Sequence, residues 1–167
     1  QTCTEDCEAE VLEMVGQGEW RVRFSPPVPG EWQVTVSARD RTGFTSTVFE
    51  DTFEVAPSDH PGFVRRGENS RYFVFDNGQP YFPIGENLAW SWDGGVGIFA
   101  YERWLDELSA AGANYARINI DVPWFIGLDW PGPVGDYSEA QAAAWRMDTI
   151  LEMAAELGWD RLSAFNE

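Results

Sequence analysis

The stretch YFVFDNGQPYFPIGENLAW at residues 72–90, with IFAYERWLDELSAAG at 98–112 and ANYARINIDVPW at 113–124, decides how the rest of the chain is read. Phe73-Val74-Phe75 and Tyr81-Phe82-Pro83-Ile84 flank Asp76-Asn77-Gly78. Asn-Gly accepts the positive φ values of a tight turn, so this pattern predicts a β-hairpin. Its second arm runs on into Gly85-Glu86-Asn87-Leu88-Ala89-Trp90. Tyr101, Trp104, Leu105 and Leu108 then recur at three- and four-residue steps, one apolar helical stripe, and Gly112 suits the left-handed position that ends it. Tyr115–Ile120 reads as a second strand. Strand, helix and strand in this order predict parallel pairing through a right-handed crossover.

Downstream, a Trp-, Pro- and Gly-rich loop spans Pro123–Tyr137. Ser138 with Gln141 three residues later is a capping-box signature. Ala142, Trp145, Met147, Ile150, Leu151, Ala154 and Leu157 supply the apolar positions of a second helix ending at Gly158. Arg146, Asp148 and Glu152 are expected on its solvated face. A third strand should follow, but Trp159–Glu167 does not carry the apolar run of a buried strand.

Upstream, period-2 alternation marks strands, because it turns one face to a core and the other to water. Glu19–Phe24 alternates, Ser25–Gly30 breaks the pattern, Glu31–Val36 alternates again, and Asp40–Gly43 supplies another turn. Ser46–Val55 follows as a strand with Val48, Phe53 and Val55 as its apolar members. Short strands with Pro/Gly turns predict an antiparallel immunoglobulin-like β-sandwich, incomplete because residues 1–57 fall short of the roughly 100 such a domain needs. The expected organisation is a sandwich portion at 1–57, a linker at 58–71, and a second domain at 72–167. His60, in the Pro/Gly-rich linker, reads as a solvated loop histidine.

The chain has 167 residues, and its 28 acidic groups outweigh 11 basic ones, all arginine, for a formal charge of -17. That surface repels phosphate backbones and anionic bilayers, so neither a nucleic acid nor a membrane is expected as a partner. No apolar run approaches the roughly 20 residues of a spanning helix, and no signal segment is visible at the start. Cys3 and Cys7 either form a local disulfide or remain two thiols. With those cysteines and one distant histidine, neither a metal site nor a cofactor is expected.

The second strand carries the chemistry. If Ile118 and Ile120 face the helices, parity sends Arg117, Asn119 and Asp121 to the other side, toward the axis of a barrel. Arg117 there either grips a carboxylate or sugar hydroxyl with its fixed fork of donors, or closes an internal salt bridge with Asp121 or Glu86. Trp90, Trp92 and Trp124 gather at the ends of the two strands, where barrel enzymes keep their sites, as do Phe125 and Trp130. Flat aromatic faces suit the C–H faces of sugar rings, and Asn87, Asn119 and Asp121 can take hydroxyls. Glu86 and Asp121 are the carboxylates a glycosidase pair would draw on; the alternative is that one or both only orient other groups.

The run Phe73–Trp90 resembles the opening hairpin and first barrel strand of bacterial (β/α)8 glycoside hydrolases of the retaining clan that includes cellulase-like and apiosidase-like enzymes. Tyr101–Leu105 and Gly112–Ile118 are similar to that clan's first helix and second strand. Trp20–Trp32 resembles the β-sandwich found in front of such barrels. The resemblance implies a secreted or periplasmic enzyme cleaving an oligo- or polysaccharide by a two-carboxylate retaining mechanism. In this clan the acid/base and nucleophile glutamates follow the fourth and seventh strands. Both are therefore expected beyond this chain, with the remainder of the barrel C-terminal to it, the isolated chain inactive, and Arg117 its one supporting residue carried over by position. The alternative is a non-catalytic carbohydrate-binding or adhesion module.

Overall fold

The computed structural model describes residues 2–3, 9–68, 71–89, 96–120, 125–128, 136–159 and 162–165, giving the backbone alone at 2–3, 48 and 162–165. In chain order the elements are β1 (Thr2–Cys3), β2 (Glu10–Val11), β3 (Gly30–Arg39), β4 (Thr45–Val55), β5 (Val64–Arg66), β6 (Phe73–Phe75), β7 (Pro80–Tyr81), β8 (Gly85–Leu88), α1 (Ile98–Ala110), β9 (Tyr115–Asn119), α2 (Gln141–Glu156) and β10 (Leu162–Phe165). The fold is sheet-rich, with three small antiparallel sheets, one parallel sheet and two helices among the described residues. Contacts divide it into two compact units, Gln1–Glu19 with Pro83–Glu167, and Trp20–Phe82. These boundaries differ from the expected 1–57, 58–71 and 72–167: composition marks the Pro/Gly-rich stretch, whereas long-range contacts of Glu10 draw the first segment to the helices.

The Trp20–Phe82 unit contains an antiparallel ribbon, β3 against β4, in which Trp32 faces Phe53 and Val36 faces Phe49. The register jumps from Val36↔Phe49 to Ser37↔Thr47, which leaves Val48 as the extra residue of a bulge. That bulge explains why the apolar residues of this strand fall on both parities. Glu19–Phe24, expected as a strand, is irregular. Its alternation leaves Trp20 82% and Val22 75% exposed, while the Phe24 ring meets Trp32 edge-on at 5.6 Å. Alternation makes a strand only where a partner offers both a ladder and a core, and a two-stranded ribbon has little core to offer.

Asp40 closes the β3–β4 turn. One carboxylate oxygen, Oδ1, accepts the Thr42 hydroxyl at 2.7 Å and the Thr42 and Phe44 amides at 2.8 and 3.0 Å. The Thr42 hydroxyl, helped by these amides, holds the carboxyl below its ordinary value of 3.8. A depressed folded value means that the turn's stabilisation is present above the unfolded value and is lost as pH falls through the folded one. The expected result is a Thr42 amide NMR resonance that moves only below the ordinary aspartate range. Asp40→Asn should abolish that titration.

The segment expected as a linker is more ordered than its composition suggests. β5 lies within it, pairing antiparallel with β6 through Val64↔Phe75 and Arg66↔Phe73, and β6 pairs in turn with β7. The predicted hairpin forms as a three-residue loop: Phe75 N–H donates to Gln79 at 2.8 Å, and Gly78 takes φ 84°. The second arm stops at Tyr81, so β8 belongs to another sheet. His60 is exposed, its Nδ1 accepting the Gly62 amide at 3.2 Å.

In the other unit, β8, β9 and β10 form a parallel sheet in sequential order, with α1 and α2 as the crossovers. Leu162–Phe165 is thus the third strand that its composition did not announce, aligned with Ala116–Asn119. The exposed edge of β9 supplies the ladder that local propensity lacks. Leu88, Ala116 and Ile118 of the sheet meet Ile98, Tyr101, Leu105, Ile150 and Ala154 of the helices in one core. Both helices end in Schellman motifs. Ala113 N–H donates to Leu108 and Gly112 N–H to Ser109, as Trp159 does to Ala154 and Gly158 to Ala155, with Gly112 and Gly158 at φ 82° and 74°.

The capping box at Ser138 does not form. Asp136 takes the Ser138 hydroxyl at 2.7 Å, Gln141 Nε2 turns to the Tyr137 carbonyl, and Ala140 stands at the N-cap without a side-chain bond. Gly85 is required for close approach, since a Cβ there would overlap the Tyr115 carbonyl oxygen of β9. Gly85→Ala is expected to cost about 1–3 kcal/mol. Amide exchange should show the loss concentrated at the β8–β9 ladder.

Candidate functional site

The β8–β9 register decides what can meet on the sheet. Asn87 is level with Arg117 and Leu88 with Ile118, while the backbone of Ser163 continues the Asn87–Arg117 row on β10. Neighbours in a parallel row share a face and lie about 4.8 Å apart. Ala116 and Ile118 are fully buried toward the helices and Ile120 packs beside them, as parity predicts. Arg117 and Asn119 are therefore on the opposite face, both half-buried, with exposed Asn87 alongside. An amide beside a guanidinium gives a row rich in donors, suited to hydroxyl and carboxylate oxygens.

Glu86 is level with Ala116 rather than Arg117, one residue out of phase with the polar row, and it is exposed. Parallel alignment thus argues against its serving as Arg117's partner on that face. Trp90, Trp92, Asp121, Trp124 and Trp130 lie outside the described residues, as does Cys7, and the side chain of Cys3 is likewise not described.

Asn114 sets the start of this alignment. Its side-chain Oδ1 accepts the Ile84 amide at 2.8 Å, and its own amide donates to the Ile84 carbonyl at 2.8 Å. One asparagine thereby mimics a strand residue and fixes where β8 begins beside β9.

Two anchors hold the end of β8 and the segment at Phe125, and the sequence marks Tyr101 only as a member of the α1 stripe and Arg146 only as a solvated charge. Tyr101 of α1 is fully buried, and its hydroxyl donates to the carbonyls of Ala89 at 3.0 Å and Leu88 at 3.2 Å, where β8 ends. Burial pushes the phenol well above its ordinary value, so it acts as a neutral donor. Its ring stacks on Phe125 at 5.2 Å and 18°. Arg146 of α2 also reaches Phe125, with Nη1 donating to its carbonyl at 2.9 Å and the guanidinium 5.3 Å from its ring centroid.

Arg146 also pairs with Glu10, its Nη2 and Nε each 2.7 Å from Oε2. Glu10 Oε1 accepts the Ile98 amide at 3.2 Å, placing a carboxylate at the positive end of the α1 dipole. The Glu10 side chain is only 2% exposed and that of Arg146 18%. Gly97 permits this approach: it adopts φ 60°, and a Cβ there would stand 2.8 Å from the Glu10 carboxyl. Arg146 thus leaves the solvated face expected for it and links β2, both helices and the segment after β9.

Signals for two of these residues were present. A tyrosine in a buried apolar stripe brings a polar tip that needs an acceptor. Arg146 stands three residues after Ala143 and four before Ile150, on the buried side of α2. Glu10 carried no such signal, because its partner is 136 residues away. Comparison with protein-family models, curated proteins and solved structures finds no match to the chain.

Proposed function

We propose that this chain is the N-terminal portion of a glycoside hydrolase acting on an oligo- or polysaccharide by a two-carboxylate retaining mechanism, with the catalytic glutamates beyond this chain. In this reading β8–α1–β9–α2–β10 begins a (β/α)8 barrel, and the β3–β4 ribbon belongs to an immunoglobulin-like sandwich. The observation that carries the proposal is the parallel register that sets Asn87 beside Arg117 on the face away from the helices. Barrel enzymes draw their sites from the C-terminal ends of such strands. Sugars need planar donors for hydroxyls and aromatic faces for the ring, and Trp90, Trp92 and Trp124 follow these strands in sequence. Asn119 and Asp121 extend the same set. A protein with this role acts outside the cytoplasm or in the periplasm, with carbohydrate as its partner.

Arg117→Ala is expected to weaken oligosaccharide binding about tenfold or more, the scale of losing hydrogen bonds from a charged donor. Tryptophan fluorescence titration of the whole chain measures it. The same chain should release no reducing sugar, and hydrolysis that disappears in Glu86→Gln would overturn the placement of the carboxylates. A binding or adhesion module is the second reading, favoured by Trp20 at 82% exposure. Binding lost in Trp20→Ala and retained in Arg117→Ala would select it.

A further inference from the structure

Successive residues of β5 point to opposite faces, and its two arginines have different surroundings. Arg65 is neutralised: Nε donates to Asp76 Oδ1 at 2.8 Å, and the guanidinium lies 5.4 Å from the Phe63 ring centroid. Arg66 sits across the ladder from Phe73. These two residues, with Arg71 and Tyr72 from the turn before β6, line a surface cavity of about 330 Å3. That volume is at the low end of the roughly 300–1,000 Å3 typical of small-molecule sites. Neither Arg66 nor Arg71 forms an ion pair among the described residues, although Glu68 lies between them in sequence. In a chain with 28 acidic residues and 11 arginines, two guanidinium groups on one cavity with no ion pair among the described residues are a local reversal of the surface charge.

The walls of the cavity add a second chemistry. Tyr72 and Phe73 are 62% and 47% exposed, and the Tyr72 ring lies 6.0 Å from that of Phe82. Gly67 N–H donates to the Tyr72 carbonyl at 3.2 Å, one step beyond the Arg66↔Phe73 pair of the ladder. Paired planar forks match the two oxygens of a carboxylate, and aromatic faces match the apolar side of a pyranose.

We infer that the cavity lined by Arg66, Arg71, Tyr72 and Phe73 is a binding site for a sugar bearing a carboxylate. Its anion preference follows from the two arginines alone, whereas the sugar rests on the carbohydrate reading above. The net charge of -17 repels a polyanion as a whole, so the site selects an isolated or terminal uronate on an otherwise neutral glycan.

The test titrates the whole chain with a glucuronate-terminated oligosaccharide and with the neutral oligosaccharide of the same backbone, following the Phe73 amide and the Arg66 and Arg71 side-chain Nε–H signals by NMR. The uronate should perturb these signals and bind at least tenfold more tightly than the neutral sugar. Arg66→Gln and Arg71→Gln, both at exposed positions, should each weaken it about tenfold, with Arg66→Lys recovering only part of the loss because the fork is gone. Equal binding of the neutral sugar at these signals, or no change in the double Arg66→Gln/Arg71→Gln variant, overturns the site. Acetate binding as tightly as the uronate overturns the sugar assignment. Neutral-sugar shifts at Asn87 and Arg117 read the other site, so the two proposals fail separately.

Discussion

Glu10→Ala is expected to destabilise the unit formed by Gln1–Glu19 and Pro83–Glu167 by about 3 kcal/mol, the low end of what removing one partner of a buried ion pair costs. The low end applies because the Arg146 side chain keeps 18% exposure and can recover part of its hydration. The loss has two sources. Arg146 is left as a largely buried cation whose remaining described acceptor is the Phe125 carbonyl, and the Ile98 amide at the start of α1 loses its acceptor. Arg146→Met should cost a similar amount by stranding the carboxylate. Because both changes remove the same interaction, the double variant Glu10→Ala/Arg146→Met should be far less damaged than the sum. Urea denaturation of the four proteins, followed by tryptophan fluorescence, gives the coupling directly. Additive losses would mean that the two side chains act independently.

Tyr101→Ala should cost about 3–5 kcal/mol, the range for deleting a large aromatic from a core. Tyr101 is fully buried and packs on Trp104 and Phe125, each at 5.2 Å. Tyr101→Phe isolates the hydroxyl: it keeps the rings in place and leaves the Leu88 and Ala89 carbonyls short of a donor, for about 1–3 kcal/mol. Its second effect is on function. With the end of β8 released, Asn87 is held less firmly beside Arg117, so on the proposed function sugar binding should weaken more than the fall in stability accounts for under conditions where both proteins are fully folded. The pH dependence adds a check. The folded phenol's value is raised above the ordinary 10.0, so its stabilising term is present below the unfolded value and is lost as pH rises toward the folded one. The parent chain should therefore lose stability above about pH 10 to an extent that Tyr101→Phe does not share.

Local patterns carried as far as the interaction that defines them was itself local. The hairpin around Gly78, the stripe of α1 and the Gly112 and Gly158 helix ends depend on residues within a few positions, and they appear where the sequence places them. The capping signature at Ser138 failed for a related reason, because a nearer competitor, Asp136, takes the hydroxyl. Glu19–Phe24 has the alternation of a strand, but alternation specifies only which face would be buried and supplies no neighbour to bury it. Leu162–Phe165 is the converse case, a segment with little strand signal that pairs because β9 offers an open ladder.

The candidate site divides along the same line. Sequence by itself determined that Arg117 and Asn119 lie opposite Ile118, since the side chains of a strand alternate with a period of two regardless of what surrounds it. Tertiary structure alone decided which residue of β8 stands beside Arg117, because register is a relation between two strands: Asn87 is level with it and Glu86 is not. It also decided that Arg146 is an anchor rather than a solvated charge, and that Glu10 belongs with the helices. A charge finds its lowest free energy beside an opposite charge that shares its burial, and no local pattern encodes a partner 136 residues away.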